Sequence, residues 1–152
     1  MDEQLDGKDV ANELNKLRGG WAEANGLRFI SVTDEETVVE LTVADQHLQP
    51  YGIVHGGVHA GIIETICSMG AAFAARKRGH KGGVVGLENH TSFIKAVRAG
   101  TLLRGTAVPV TRGRTTQVWE AKVTDPQGQV IARGTVRLLC VTENQLPQAP
   151  PT

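Results

Sequence analysis

A chain of 152 residues, 40% apolar and 21% charged, is long enough for one globular domain with a core of its own. Sixteen basic residues balance sixteen acidic ones, so bulk charge directs the chain to neither nucleic acid nor a membrane surface. The acidic, polar start MDEQLDGKDV does not read as a signal peptide. Cys67 and Cys140 are far apart in sequence and read as thiols of a reducing compartment, so the protein is expected to be soluble and cytoplasmic.

Residues 1–24 form an N-terminal segment in which Val10, Leu14, Leu17 and Trp21 fall at i, i+4, i+7 and i+11, one stripe of a short amphipathic helix. Strand patterns follow. Around 36–43, Thr37, Val39, Leu41 and Val43 share one face. The loop ADQHLQPYGIV carries Pro50 and Gly52 as breakers. Residues 55–75 then read as one long helix of small and apolar residues. Its two histidines, one glutamate and two hydroxyl residues argue against a membrane span.

Four more strand patterns follow, at 83–94, 102–110, 115–124 and 130–141, with Pro109 marking an edge or a bulge. Asp125-Pro126-Gln127-Gly128 has hairpin chemistry. Short turns favour antiparallel pairing. The pattern predicts an α+β fold over 25–142, a curved antiparallel sheet wrapped around one central helix in the hot-dog shape, and a disordered Pro-rich tail at 143–152.

The long helix opens His55-Gly56-Gly57 and carries a lone carboxylate, Glu64. The first N–H groups of a helix lack internal acceptors and lie at the positive end of its dipole. Glycines there either serve a tight turn or let a carbonyl oxygen reach the Gly56 or Gly57 N–H as an oxyanion hole. Ala60, Gly61, Cys67 and Ser68 surround Glu64 one turn away, and none is a cation. Glu64 stands eight residues beyond Gly56, roughly 12 Å along the axis, so one helix cannot present both groups to one carbonyl. If they cooperate, a twofold-related chain supplies one of them. His55 and His59 have a metal-pair spacing but lack the HExxH order, and no metal site is expected. Nucleophile-elbow and phosphate-loop motifs are absent from the sequence.

Charge is unevenly placed. Residues 1–45 hold eleven acidic and four basic residues, whereas 76–114 hold nine basic residues against Glu88 alone. Such a stretch is either a set of solvated strand charges or a receiver of phosphates.

His55-Gly56-Gly57, Glu64 nine residues on, Gln49 six before and the closing GRTTQVWEAKVTDPQGQVIARGTVRLL together resemble the hot-dog acyl-CoA thioesterases. The likeness covers about residues 25–141. It is nearest to the glutamate-using branch of the phenylacetate-pathway and 4-hydroxybenzoyl-CoA thioesterases. The resemblance implies hydrolysis of an acyl- or aryl-CoA at a dimer interface, in a tetramer of two dimers, with no cofactor beyond the coenzyme A of the substrate. It implies Glu64 as nucleophile or general base, the Gly56 N–H on the carbonyl, Gln49 orienting water, His55 holding the loop, and Ser68 (where the family often has threonine) bonding Glu64. Gly57, Asn89 and His90 would touch the substrate, and Lys95, Arg98, Arg112, Arg114, Thr115 and Thr116 its nucleotide. Two other readings of such a chain are an acyl-CoA-binding protein without catalysis and an acyl-thioester dehydratase. The first would be expected beside a fused DNA-binding segment, and the second with an Asp–His pair near the helix start. Residues 8–21 read as only one short helix, and Glu64 and His55 are too separated in one chain to form such a pair.

Overall fold

The computed structural model describes residues 6–147. Two short helices, α1 (Gly7–Lys16) and α2 (Gly20–Ala24), precede strands β1 (Arg28–Val32) and β2 (Thr37–Thr42). The long helix α3 (Gly56–Lys77) follows, then β3 (Gly83–Phe93), β4 (Leu102–Arg112), β5 (Thr116–Thr124) and β6 (Val130–Val141). The strands form one antiparallel sheet in the order β1-β2-β4-β5-β6-β3 around α3, the expected hot-dog arrangement.

Helix α3 is apolar on most of its circumference because the curved sheet covers several sides of it. Ile62, Ile63 and Ile66 are fully buried, and each such side chain contributes ~1.5–3 kcal/mol. The helix is long and apolar enough to cross a bilayer, and half of that stretch is buried inside the domain. Gly70 lets the helix approach the sheet, since a Cβ there would lie 2.5 Å from the Trp119 ring. Trp119 is buried, and its Nε1–H donates to Gln117 Oε1 at 2.9 Å. The Gln117 amide in turn donates to the Ala71 carbonyl at 3.0 Å, so the indole and this amide are paired across helix and sheet.

The two sheet edges differ. At β1, the Asn15 amide of α1 accepts from Phe29 N–H and donates to Phe29 C=O, both at 2.8 Å, and so closes that edge. The other edge is β3, an eleven-residue strand whose Val85, Leu87 and Phe93 are exposed.

Three expectations are refined. The amphipathic stripe of residues 10–21 is broken into α1 and α2, because Gly19 and Gly20 adopt φ of +87° and +82°. Val10 and Leu14 pack on the core, Leu17 is exposed, and Trp21 lies on Gly61 of α3. Ala11 joins the same core as the sheet, so the N-terminal segment is packed into the domain. Of the tail expected to be disordered, Glu143–Gln145 form a 3-10 turn with Leu146 against Gly83; residues 148–152 lie outside the described part. Pro109 does mark a bulge, the β4–β5 register slipping between Pro109 and Thr111. Asp125 closes the next hairpin by accepting from Gln127 N–H and Gln129 N–H.

Candidate functional site

The long helix begins in a fixed loop. His47 is buried, and its Nδ1 accepts from Ala44 N–H at 2.9 Å. That sets the neutral tautomer, so Nε2–H donates to the Asn25 carbonyl at 2.8 Å. The His47 carbonyl accepts from His55 N–H at 2.8 Å. His55 then caps α3, its Nδ1 accepting from Gly57 N–H at 2.8 Å. His47 carries little signal in the sequence, being a histidine in a loop between two strongly patterned elements.

The cap divides the roles of the two glycines. Gly57 N–H is engaged by His55, and a Cβ at Gly57 would lie 2.8 Å from that Nδ1. Gly56 N–H has no acceptor among the described residues. Phe93, at the end of β3, lies on Gly56, where a Cβ would come within 2.8 Å of its ring. Gly56 therefore serves close packing as well as leaving a donor at the helix start. Gln49 bonds its own turn through Tyr51 N–H.

Glu64 lies two turns further along α3, half-buried against β3. Its Oε1 accepts from Ser68 Oγ at 3.3 Å, and its Oε2 accepts from the Asn89 amide at 3.2 Å. Asn89 also donates to the Ala60 carbonyl at 3.0 Å. Gly86 faces the same carboxylate: a Cβ there would stand 2.2 Å from Oε1. Gly86 was not singled out in the sequence, because a glycine in a strand has no marker of what approaches it. The carboxylate is thus oriented by one hydroxyl and one amide and presented beside the open β3 edge.

A bulge between Gly86 and Glu88 resets the side-chain alternation of β3. Asn89 consequently faces α3 and Glu64, while His90 faces the other side of the sheet. There it lines an open cavity of about 550 Å³ with Glu36, Glu120, Lys122 and Arg133. Within one chain, His90 does not meet Glu64.

The candidate nucleotide contacts fall at opposite ends of α3. Lys95 and Arg98 belong to the segment that bonds the helix start, Val97 C=O accepting from Val54 N–H. Arg112, Arg114, Thr115 and Thr116 lie at the other end, where Arg78 donates to the carbonyls of Arg112 and Gly113. Lys95 is engaged by Gln129 and Asp125, and Arg112 by Asp34 and Glu35. The lysine beside it, Lys77, holds the Asp34 carboxyl below its ordinary range. Arg98 and Arg114 have no ion pair among the described residues. A helix of 22 residues is ~33 Å long, so these two groups cannot reach one phosphate within a chain.

His55 is the helix cap, and His59 is buried beside Phe93 with its Nδ1 unpartnered. Burial pushes the His59 pKa down to about 4, so the ring is neutral at pH 7. Burial likewise pushes the Cys67 thiol up, out of reactive range.

Residues 51–132 match the family model described as "Thioesterase superfamily". The chain is 41% identical over 113 residues to Rv1847 of Mycobacterium tuberculosis, covering 74% of this chain and 80% of that protein. It is 35% identical over 123 residues to the 1,4-dihydroxy-2-naphthoyl-CoA hydrolase of Listeria monocytogenes, covering 81% and 90%. The solved structure of Rv1847/MT1895 superposes with a TM-score of 0.75 at 37% identity, over 80% of this chain and 95% of that one. That of Escherichia coli PaaI superposes at 0.76 over 87% and 91%, a likeness of fold at 20% identity.

Proposed function

The chain belongs to the thioesterase superfamily and is a thioester hydrolase, and from that premise we propose that it hydrolyses acyl- or aryl-CoA to the free acid and CoA by the glutamate-type mechanism. The observation that carries this reading is the oriented carboxylate of Glu64, held by Ser68 and Asn89 beside Gly86. A carboxylate so placed acts in one of two ways. As general base it takes a proton from water while the water oxygen bonds to the carbonyl carbon. As nucleophile it bonds to that carbon itself, forming an anhydride that water then opens. In both, the C–S bond breaks and the CoA thiolate leaves with a proton. Developing charge on the carbonyl oxygen needs an N–H donor, and Gly56 N–H is available at a helix start. Base and oxyanion donor both come from the polypeptide, so the reaction needs no cofactor beyond the CoA of the substrate.

Glu64 and Gly56 of one chain are too far apart to share a carbonyl, so the working unit is a dimer in which each site takes Glu64 from one subunit and Gly56 from the other. The support is the unprotected β3 edge, which runs alongside both groups and carries exposed apolar side chains, while Asn15 closes the opposite edge. Antiparallel α3 helices would also bring Arg98 of one subunit toward Arg114 of the other, a pair suited to the phosphates of CoA. Gln49 would act across the same interface, and two dimers would form the tetramer. Two free cysteines accord with a cytoplasmic setting.

A thiol-release assay across acyl-CoAs tests the assignment. Glu64→Gln is expected to lower kcat by 10²-fold or more, within the ~10²–10⁴-fold range of a lost acid–base group, with fold and oligomer unchanged. Full turnover in that variant would sink the role given to Glu64; tight acyl-CoA binding with no thiol released by the native protein would make it a binding protein instead.

A further inference from the structure

We infer that the outer face of the sheet, on the side away from Glu64, carries a second binding site, and that it takes a sugar phosphate, a phosphate monoester on a hydroxyl-rich body. The site stands apart from the proposed hydrolysis and does not depend on it.

Antiparallel register lays two rows of side chains across four strands. Ser92 of β3, Arg133 of β6, Lys122 of β5 and Thr106 of β4 are successive cross-strand partners. Two residues along each strand, His90, Thr135, Glu120 and Val108 form the neighbouring row. All of them line the open cavity of about 550 Å³, and so does Glu36, just before β2. They face away from α3, because their chain neighbours Ala107, Trp119, Val123 and Ala132 are buried in the core.

Arg133 and Lys122 stand directly opposite one another. Side chains so paired have Cβ atoms ~4.5–5.5 Å apart, and like charges there destabilise a sheet. Neither cation, nor Glu36 or Glu120, has an ion pair among the described residues. The register therefore holds two cations together with a hydroxyl on each flank. A phosphate relieves their repulsion: the Arg133 fork can bond two of its oxygens, Lys122 supplies a point charge, and Ser92 and Thr106 donate to the rest. Glu120 and Glu36 repel a ligand that is anionic throughout, and accept instead from hydroxyls at its other end. The apolar side chains of the cavity are Val108 and Ala121, with no Phe, Tyr or Trp to stack a nucleobase. The volume lies within the ~300–1,000 Å³ of small-molecule sites. A second copy of the chain is the poorer occupant. A twofold contact sets one patch against itself, so two concavities would face each other across a void, where protein interfaces pack densely.

Calorimetric titration of the full chain at low ionic strength with glucose 6-phosphate, inorganic phosphate, glucose and AMP reads the site. Glucose 6-phosphate is expected to bind about tenfold tighter than phosphate, the gain of hydroxyls bonding a carboxylate, and glucose not at all. Arg133→Ala and Lys122→Ala should each weaken both anions about tenfold. Glu36→Ala with Glu120→Ala should erase the advantage of glucose 6-phosphate over phosphate. No binding of either anion, or equal affinity for the two (an adventitious ion only), would overturn the inference, as would AMP binding tighter than glucose 6-phosphate. Arg133→Ala and Lys122→Ala should leave unchanged both the KM for acyl-CoA and the particle size by light scattering. A raised KM would give the cations to the substrate's nucleotide, and a smaller assembly would give the face to a second copy; either result sinks the site. Native protein that binds glucose 6-phosphate as expected but releases no thiol would refute the hydrolysis and leave this site standing.

Discussion

The smallest residues at the site are the most constrained. Gly86 has an ordinary strand conformation, and what forbids a side chain there is the Glu64 carboxylate, 2.2 Å from where a Cβ would be. Gly86→Ala should force that carboxylate off its bonds to Ser68 and Asn89. A displacement of about 1 Å at a reacting group costs roughly 10²-fold in rate. The expected outcome is therefore a fall of that size in kcat with an unchanged denaturation midpoint; wild-type kcat would show that Glu64 needs no fixed position. Glu64 and the His55-Gly56-Gly57 start stand out in the sequence because they break the pattern of the helix that carries them, whereas Ser68 is marked only by the family resemblance. Gly86 and His47 do not stand out, since what makes them matter is a neighbour distant in sequence. The bulge in β3 had the same invisibility, and it is what turns Asn89 toward the carboxylate and His90 away from it.

At the scale of elements, the N-terminal helix does two things that its hydrophobic stripe alone does not indicate. Val10 and Leu14 close a cavity beside α3, and Asn15 fills the hydrogen-bonding positions of a strand edge. The Asn15 amide mimics one residue of a neighbouring strand by accepting and donating at Phe29. Asn15→Ala leaves both Phe29 groups without partners and should destabilise the fold by ~1–3 kcal/mol, read as a lower urea midpoint. An unchanged midpoint would mean that solvent replaces the amide without loss. The break between α1 and α2 follows from two successive glycines with positive φ. A periodic stripe continued across them in sequence, but the helix could not. Strands β2 to β6 were legible almost to their ends, because alternation and turn residues mark them locally, as Asp125 and Gly128 do for the last hairpin, while β1 had no bounds in the sequence.

At the scale of the whole molecule, one sheet edge is closed and the other is open, and function is proposed to depend on the open one. Val85→Lys with Leu87→Lys places two charges on β3, a common means of keeping edge strands apart. The doubly substituted protein is expected to be monomeric by light scattering and to lose turnover in proportion; an active monomer would refute the shared site. The run of local signals by itself determined the fold class, the central helix and the identity of the isolated carboxylate, because amphipathic period, turn chemistry and composition act between near neighbours in the chain. Which groups face that carboxylate, which cations are already paired, and which edge stays open were decided only by tertiary structure. Each depends on where a curved sheet brings remote segments together, and no periodicity within a segment encodes that meeting.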